Sequence, residues 1–294
     1  MISNHSNNYF SYLNRVKYFF FRKFFNKDLS RFIELIKFGV LPRPNYALGL
    51  LMAAHQGHSL GYKKISVIEF GCWNCDGLID IENYITDLKK LFDIDIDVYG
   101  FDLGTGHPEY NKDPRDRLYE LSKDDYKFDK KNNLEKLQFT QMIWGDVKVT
   151  LKNFSKNVDL TKAPVGFVSF DLGLYTSTKY AIDFLNEDSD FFLPRAALYF
   201  DNNYFVLKNE GDLLALSEFN EKSKKKISEI GELAEQLSLL WNKWIFLGKR
   251  MYTLSDLNHK KYNDPYNQLI NASLVKKMPK HALKKNQLKK TIIS

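Results

Sequence analysis

The chain has two cysteines and eight prolines in 294 residues, and it has no long uninterrupted apolar run. Each scarcity closes off a class of protein. Cys72 and Cys75 are three residues apart, so they cannot staple distant parts of a small secreted fold. No apolar run reaches the roughly 18 residues that a membrane-spanning helix needs. The opening MISNHSNNYF is polar, and no small-residue cleavage site follows an apolar stretch, so no secretory leader is expected. A reducing cytoplasm is the expected location. Hydrophobic residues at 44% and aromatics at 15% exclude a mainly disordered chain.

Positive charge is scarce where a nucleic-acid enzyme would need it. The net charge is +7, but residues 1–35 alone carry +4 and the lysine-rich 276–290 carry +7. Subtracting both ends leaves about −4 for the middle, so no basic stripe is expected on the folded body and no nucleic-acid partner. The sequence divides into an aromatic and basic helical extension (1–44), a folded domain (45–262) and a basic tail (263–294). Within the extension, 12–38 interleaves Phe and Tyr with Arg and Lys. That pattern suits a helix packed on the domain or on a second copy of the chain, or one lying on an anionic membrane surface.

From residue 65 onward, short apolar runs alternate with amphipathic stretches. Strands are expected at 65–70, 96–102, 137–146, 165–171 and 195–201. Helices are expected at 77–92, 147–156, 177–185 and 213–241, and a closing hairpin over 244–257. The alternation predicts an α/β fold, a parallel sheet with helices on both faces. A polar insert at 103–136 is long enough to be a lid or binding element. Four expected strands end in an acid, Asp102, Asp146, Asp171 and Asp201, and such a sheet gathers them on its carboxyl edge, where ligands bind. A single strand-end Asp is commonly a turn or helix cap. Four on one edge point to a site.

The stretch EFGCWNCDG (69–77) opens this edge. Its C-x-x-C sits between a strand and a helix, where thiol–disulfide proteins keep a reactive pair. Zinc would need two further Cys or His ligands at suitable spacing, and the six histidines are scattered. Read through its other residues, the stretch is a ligand turn. Gly71 closes the strand, Gly77 opens the helix, and Asp102 follows at the distance of a ribose-binding acid. The G-x-G-x-x-G that a pyrophosphate requires is missing, so a nucleoside ligand without a pyrophosphate fits better.

Six segments, in order, carry a resemblance: YALGLLMAAHQGHSLGYKKISVIEFG, IDVYGFDLGTGHPE, GDVKVTLKNF, PVGFVSFDLGLYTSTKYAIDFL, LPRAALYFDN and WNKWIFLGKRMYTLSDLNHKKYN. Over 45–262 the chain resembles class I S-adenosylmethionine-dependent methyltransferases, in particular the macrocin-type sugar O-methyltransferases. The resemblance implies a Rossmann-like methyltransferase sheet and methyl transfer to a sugar or glycan hydroxyl, assisted by Mg²⁺. It places Glu69, Gly71 and Gly77 in the cofactor turn, Asp102 at the ribose and Asp146 beside the adenine. It assigns Asp171, Asp201 and Asn202 to the metal. Trp73 is a candidate to cover the sulfonium.

Three positions depart from that pattern. The turn reads Cys-Trp-Asn-Cys-Asp where relatives have small residues. Gly173 stands where they carry a second acid that acts as general base. Asn202 stands where they have Asp. Tyr175 and His107 are then the candidates for the missing base, with Asp171 beside them. A non-catalytic relative that binds a glycan or protein on the same scaffold is the alternative, and a thiol–disulfide protein using Cys72 and Cys75 is a third.

Overall fold

In a computed structural model of the chain, residues 29–37, 40–108, 113–116, 134–201, 210–230 and 250–264 are described. The chain divides into two units, Met1–Tyr262 and Asn263–Ser294. Of the second only 263–264 are described, and every described strand and helix belongs to the first.

Seven strands form one sheet: β1 (Lys64–Phe70), β2 (Asp95–Asp102), β3 (Gln141–Trp144), β4 (Val165–Phe170), β5 (Phe192–Phe200), β6 (Lys226–Glu229) and β7 (Met251–Ser255). Their spatial order is β3-β2-β1-β4-β5-β7-β6. The first five are parallel, and β7 runs antiparallel between β5 and β6. All six residues of β4 and the last six of β1 are buried. That is why these strands read as continuous apolar runs: a parallel sheet is covered on both faces.

The described helices are α1 (Leu29–Lys37), α2 (Pro44–Ser59), α3 (Asp76–Leu91), α4 (Val147–Asn157), α5 (Tyr175–Asp183) and α6 (Gly211–Lys222). In α2, 13 of 16 residues are buried. Its Gln56 amide pairs with both the N–H and the carbonyl of Arg195, serving that backbone as a neighbouring strand would. In α1, Phe32, Leu35 and Ile36 are buried, and the Phe32 ring meets Tyr84 edge-on at 6.3 Å. The remainder of the aromatic extension, 12–28, lies outside the described residues.

One expected element differs. The expected helix over 213–241 stops at Lys222, and β6 follows within it. In Lys226-Ile227-Ser228-Glu229 only Ile227 is buried, a half-buried edge-strand pattern embedded in a charged run that also suits a helix. Of the expected hairpin over 244–257 only 250–257 are described, and they hold one strand, β7, paired with β5 and β6. Residues 231–249 lie outside the described set.

One row of side chains places the site. Phe101, Phe70, Phe170 and Phe200 stand in register on β2, β1, β4 and β5. Their ring centroids are 4.9, 5.5 and 4.5 Å apart in succession, and none is more than 1% exposed. Each such pair contributes about 0.5–1.5 kcal/mol beyond its buried area. The residues that follow the four rings, Asp102, Gly71, Asp171 and Asp201, therefore emerge side by side on the carboxyl edge. Asp171 and Asp201 leave adjacent strands, so their backbones are about 5 Å apart.

Candidate active site

The turn after β1 is left-handed at three of five positions. Gly71 has φ +83°, Trp73 +40° and Cys75 +59°. Two of these are conformations that side chains adopt at a cost, and the surroundings must hold them. Asp102 does so. Its Oδ2 accepts from the backbone N–H of Cys72 at 2.9 Å and of Trp73 at 3.1 Å, and its Oδ1 from Gly104 N–H at 2.7 Å. The end of β2 is thus tied to the turn. Gly71 has no room for a side chain, because a Cβ there would lie 2.0 Å from the carbonyl oxygen of Asp171. Gly77 is equally confined in the first turn of α3, where a Cβ would come 2.1 Å from Glu69 Oε1.

Glu69 lies beneath the turn, 3% exposed. Its Oε1 accepts from Tyr46 Oη at 2.7 Å, and Tyr46 Oη in turn accepts from Ser169 Oγ at 2.7 Å. Glu69 Oε2 is buried without a partner. Burial pushes this carboxyl up to about 7, against the Tyr46 hydrogen bond and the charge of Arg43, which favour ionisation. A buried carboxylate oxygen lacking a donor leaves an ammonium or similar group to be supplied, and the amino-acid end of S-adenosylmethionine has one. An acceptor oxygen beneath the turn suits the ammonium of that cofactor.

The two thiols are poor nucleophiles. Both cysteines are free and buried. Burial, then Glu69 and Asp102, pushes Cys75 up to about 12, and the same causes raise Cys72. A reactive pair needs the opposite, an electropositive and partly exposed setting. Chemistry at these thiols is not what the turn is built for.

Asp171 is exposed at the carboxyl edge. Desolvation by the protein around it, then the charges of Asp201 and Glu69, raise its carboxyl well above the usual range. Asp201 Oδ1 accepts from Tyr199 Oη at 2.5 Å and from Arg250 Nη1 at 3.0 Å. Asn202 lies outside the described residues. Among the described residues no group of three or more His, Cys, Asp or Glu side chains is arranged to hold a metal ion. Mg²⁺ requires near-octahedral oxygen ligation. One oxygen of Asp201 is already held by a guanidinium and a phenol, which sets it against that demand.

Asp146 is exposed and caps α4, accepting from Lys148 N–H at 2.8 Å. Tyr175 opens α5. Its hydroxyl accepts from Arg115 Nη1 and donates to Glu218 Oε2, both at 2.9 Å, while the Arg115 guanidinium lies 4.2 Å from its ring centre. Burial and Glu218 raise this phenol to about 12, so it keeps its proton at neutral pH. Arg115 reaches it from the polar insert, whose Asp116 also accepts from the backbone and hydroxyl of Thr176.

His107, from the same insert, is 9% exposed, and its Nε2 is buried without a partner. That atom lies 3.7 Å from where a Cβ of Gly173 would stand. Its Nδ1 is 3.1 Å from the Pro108 carbonyl. A carbonyl only accepts, so in the neutral ring Nδ1 carries the hydrogen and Nε2 presents a lone pair. Gly173, at φ +73°, leaves the space open.

Sequence reading alone missed Arg250, Tyr46 and the Phe ladder. The ladder had a signal, since Phe-Asp ends three strands and Phe-Gly the fourth. Arg250 had none, because its place depends on the antiparallel last strand.

No family model matches the chain, and neither does any curated protein. Solved structures do. The O-methyltransferase NovP is 14% identical over 73% of this chain and 80% of its own, with a TM-score of 0.50. The calicheamicin methyltransferase CalS11 is 16% identical over 69% and 87%, with a TM-score of 0.46. The plantazolicin methyltransferase BpumL, solved with SAH, is 13% identical over 85% and 98%, at 0.34. With the strand order above, the chain has the Rossmann-like fold of class I S-adenosylmethionine-dependent methyltransferases.

Proposed function

We propose that the chain is an S-adenosylmethionine-dependent O-methyltransferase acting on a sugar or glycan hydroxyl. The observation that carries this reading is the left-handed turn 71–75 locked to Asp102 above the partnerless Oε2 of Glu69. Together they form a cradle for a nucleoside joined to an amino acid. The sugar acceptor rests on the sequence resemblance over 45–262.

Bound there, the cofactor would supply an activated methyl group on a sulfonium, with the sulfur as the leaving group. The chain's own part is to hold the acceptor oxygen in line and remove its proton. A hydroxyl is a weak acid, so the base must be close. His107 Nε2 is the group we assign, since its lone pair stands near the position of the acid that Gly173 replaces. Tyr175 is disfavoured by its raised pKa and by its engagement with Arg115 and Glu218. The test is calorimetry with S-adenosylmethionine, followed by release of S-adenosylhomocysteine over a panel of free and nucleotide-linked sugars. Cofactor binding without turnover on any of them would favour a binding-only protein.

A further inference from the structure

We propose that Arg250 is a built-in cation of this edge, holding on Asp201 the place that a divalent metal would need and making the site independent of added metal. For its catalytic meaning this rests on the methyltransferase reading; the exclusion of metal does not.

The topology delivers the cation. β7 is antiparallel to β5 with Tyr199 opposite Met251, so the residue that enters β7 stands at the carboxyl end of β5. That residue is Arg250, its side chain 14% exposed. Nη1 lies 3.0 Å from Asp201 Oδ1 and 3.4 Å from Tyr199 Oη, and the tyrosine donates to the same carboxylate oxygen. That one oxygen therefore already has a guanidinium and a phenol as donors.

A guanidinium cannot shed its proton in a protein, so this charge is permanent. It faces Asp201, with Asp171 and Glu69 also crowding the edge. Burial works against the Arg250 charge, and Tyr199 and Asp201 more than offset it. A fixed cation here opposes the negative charge of Asp201 in advance of the reaction, as a metal on that carboxylate would. It also repels a second cation from the same oxygen. Arg250 is thus a positioning residue, acting through Asp201.

The probe is Mn²⁺, read by electron paramagnetic resonance without cofactor. Wild type and Arg250→Lys are expected not to bind at about millimolar concentration, the weak end for oxygen-ligand sites. Arg250→Met, which frees Asp201, is expected to bind at least about tenfold more tightly. Adding Asp201→Asn to it should abolish that binding. Wild type binding Mn²⁺ as well as Arg250→Met overturns the proposal, and so does a folded Arg250→Met that does not bind. If Arg250→Met fails to fold, wild type and Arg250→Lys decide alone: binding by either overturns it, and its absence in both supports it. A chain that binds no S-adenosylmethionine would defeat the methyltransferase reading and leave the Mn²⁺ result standing.

Discussion

The imidazole Nε2 of His107 stands 3.7 Å from the point that a Cβ of Gly173 would occupy. One residue has no side chain, and the other, some 66 positions earlier in the sequence, aims a buried and unpartnered nitrogen at the gap. In the function proposed above, this nitrogen on the polar insert serves as the base.

His107→Ala should therefore lower turnover by about 10²–10⁴-fold while leaving S-adenosylmethionine affinity unchanged, the usual contribution of a positioned base. Adding Gly173→Asp should restore part of the loss, because Asp tolerates a left-handed backbone better than most residues. Steady-state kinetics and calorimetry separate the two effects. A His107→Ala enzyme with undiminished turnover would remove this residue from the mechanism.

Gly71 supports a stability prediction. Gly71→Ala must place a Cβ 2.0 Å from a backbone oxygen at φ +83°. Backbone strain and overpacking together should cost about 2–5 kcal/mol in chemical denaturation. Unchanged stability would show that the junction between β1 and the end of β4 is looser than these distances imply.

Glu69 gives a pH prediction. Its carboxyl, ordinarily at 4.5, is pushed up to about 7 by burial. Between those values the folded protein holds a proton that the unfolded chain has released. Folding then takes up a proton, so stability falls as pH rises through that window and stays lower above 7. The shift corresponds to about 3 kcal/mol. Glu69→Gln is neutral throughout, so it should lose less stability than wild type between pH 5 and 8. Parallel slopes for the two proteins would contradict this assignment.

Much of the fold was legible because buried parallel strands announce themselves as apolar runs. β1, β2, β4 and β5 lie within a few residues of where periodicity puts them. β6 was not legible: a four-residue strand with one buried side chain is indistinguishable, by pattern, from the end of a charged helix. For the site, the strand-end acids were legible because topology alone collects them. Their roles were not. Asp146 reads the same in sequence whether it caps α4 or meets a ligand, and Asp201 gives no hint that Arg250 holds it. That last pairing joins residues 49 apart, through contacts that only the packed sheet creates.

The most direct measurement is calorimetric titration of the full chain with S-adenosylmethionine, set beside Asp102→Ala. Asp102 anchors the turn through the backbone N–H groups of Cys72 and Trp73 and also accepts from Gly104 N–H. Wild type should bind with a dissociation constant of about micromolar order, and Asp102→Ala should bind at least about tenfold more weakly, the equivalent of 1.4 kcal/mol. No heat and no thermal shift with wild type, or equal affinity in the two proteins, would contradict the account.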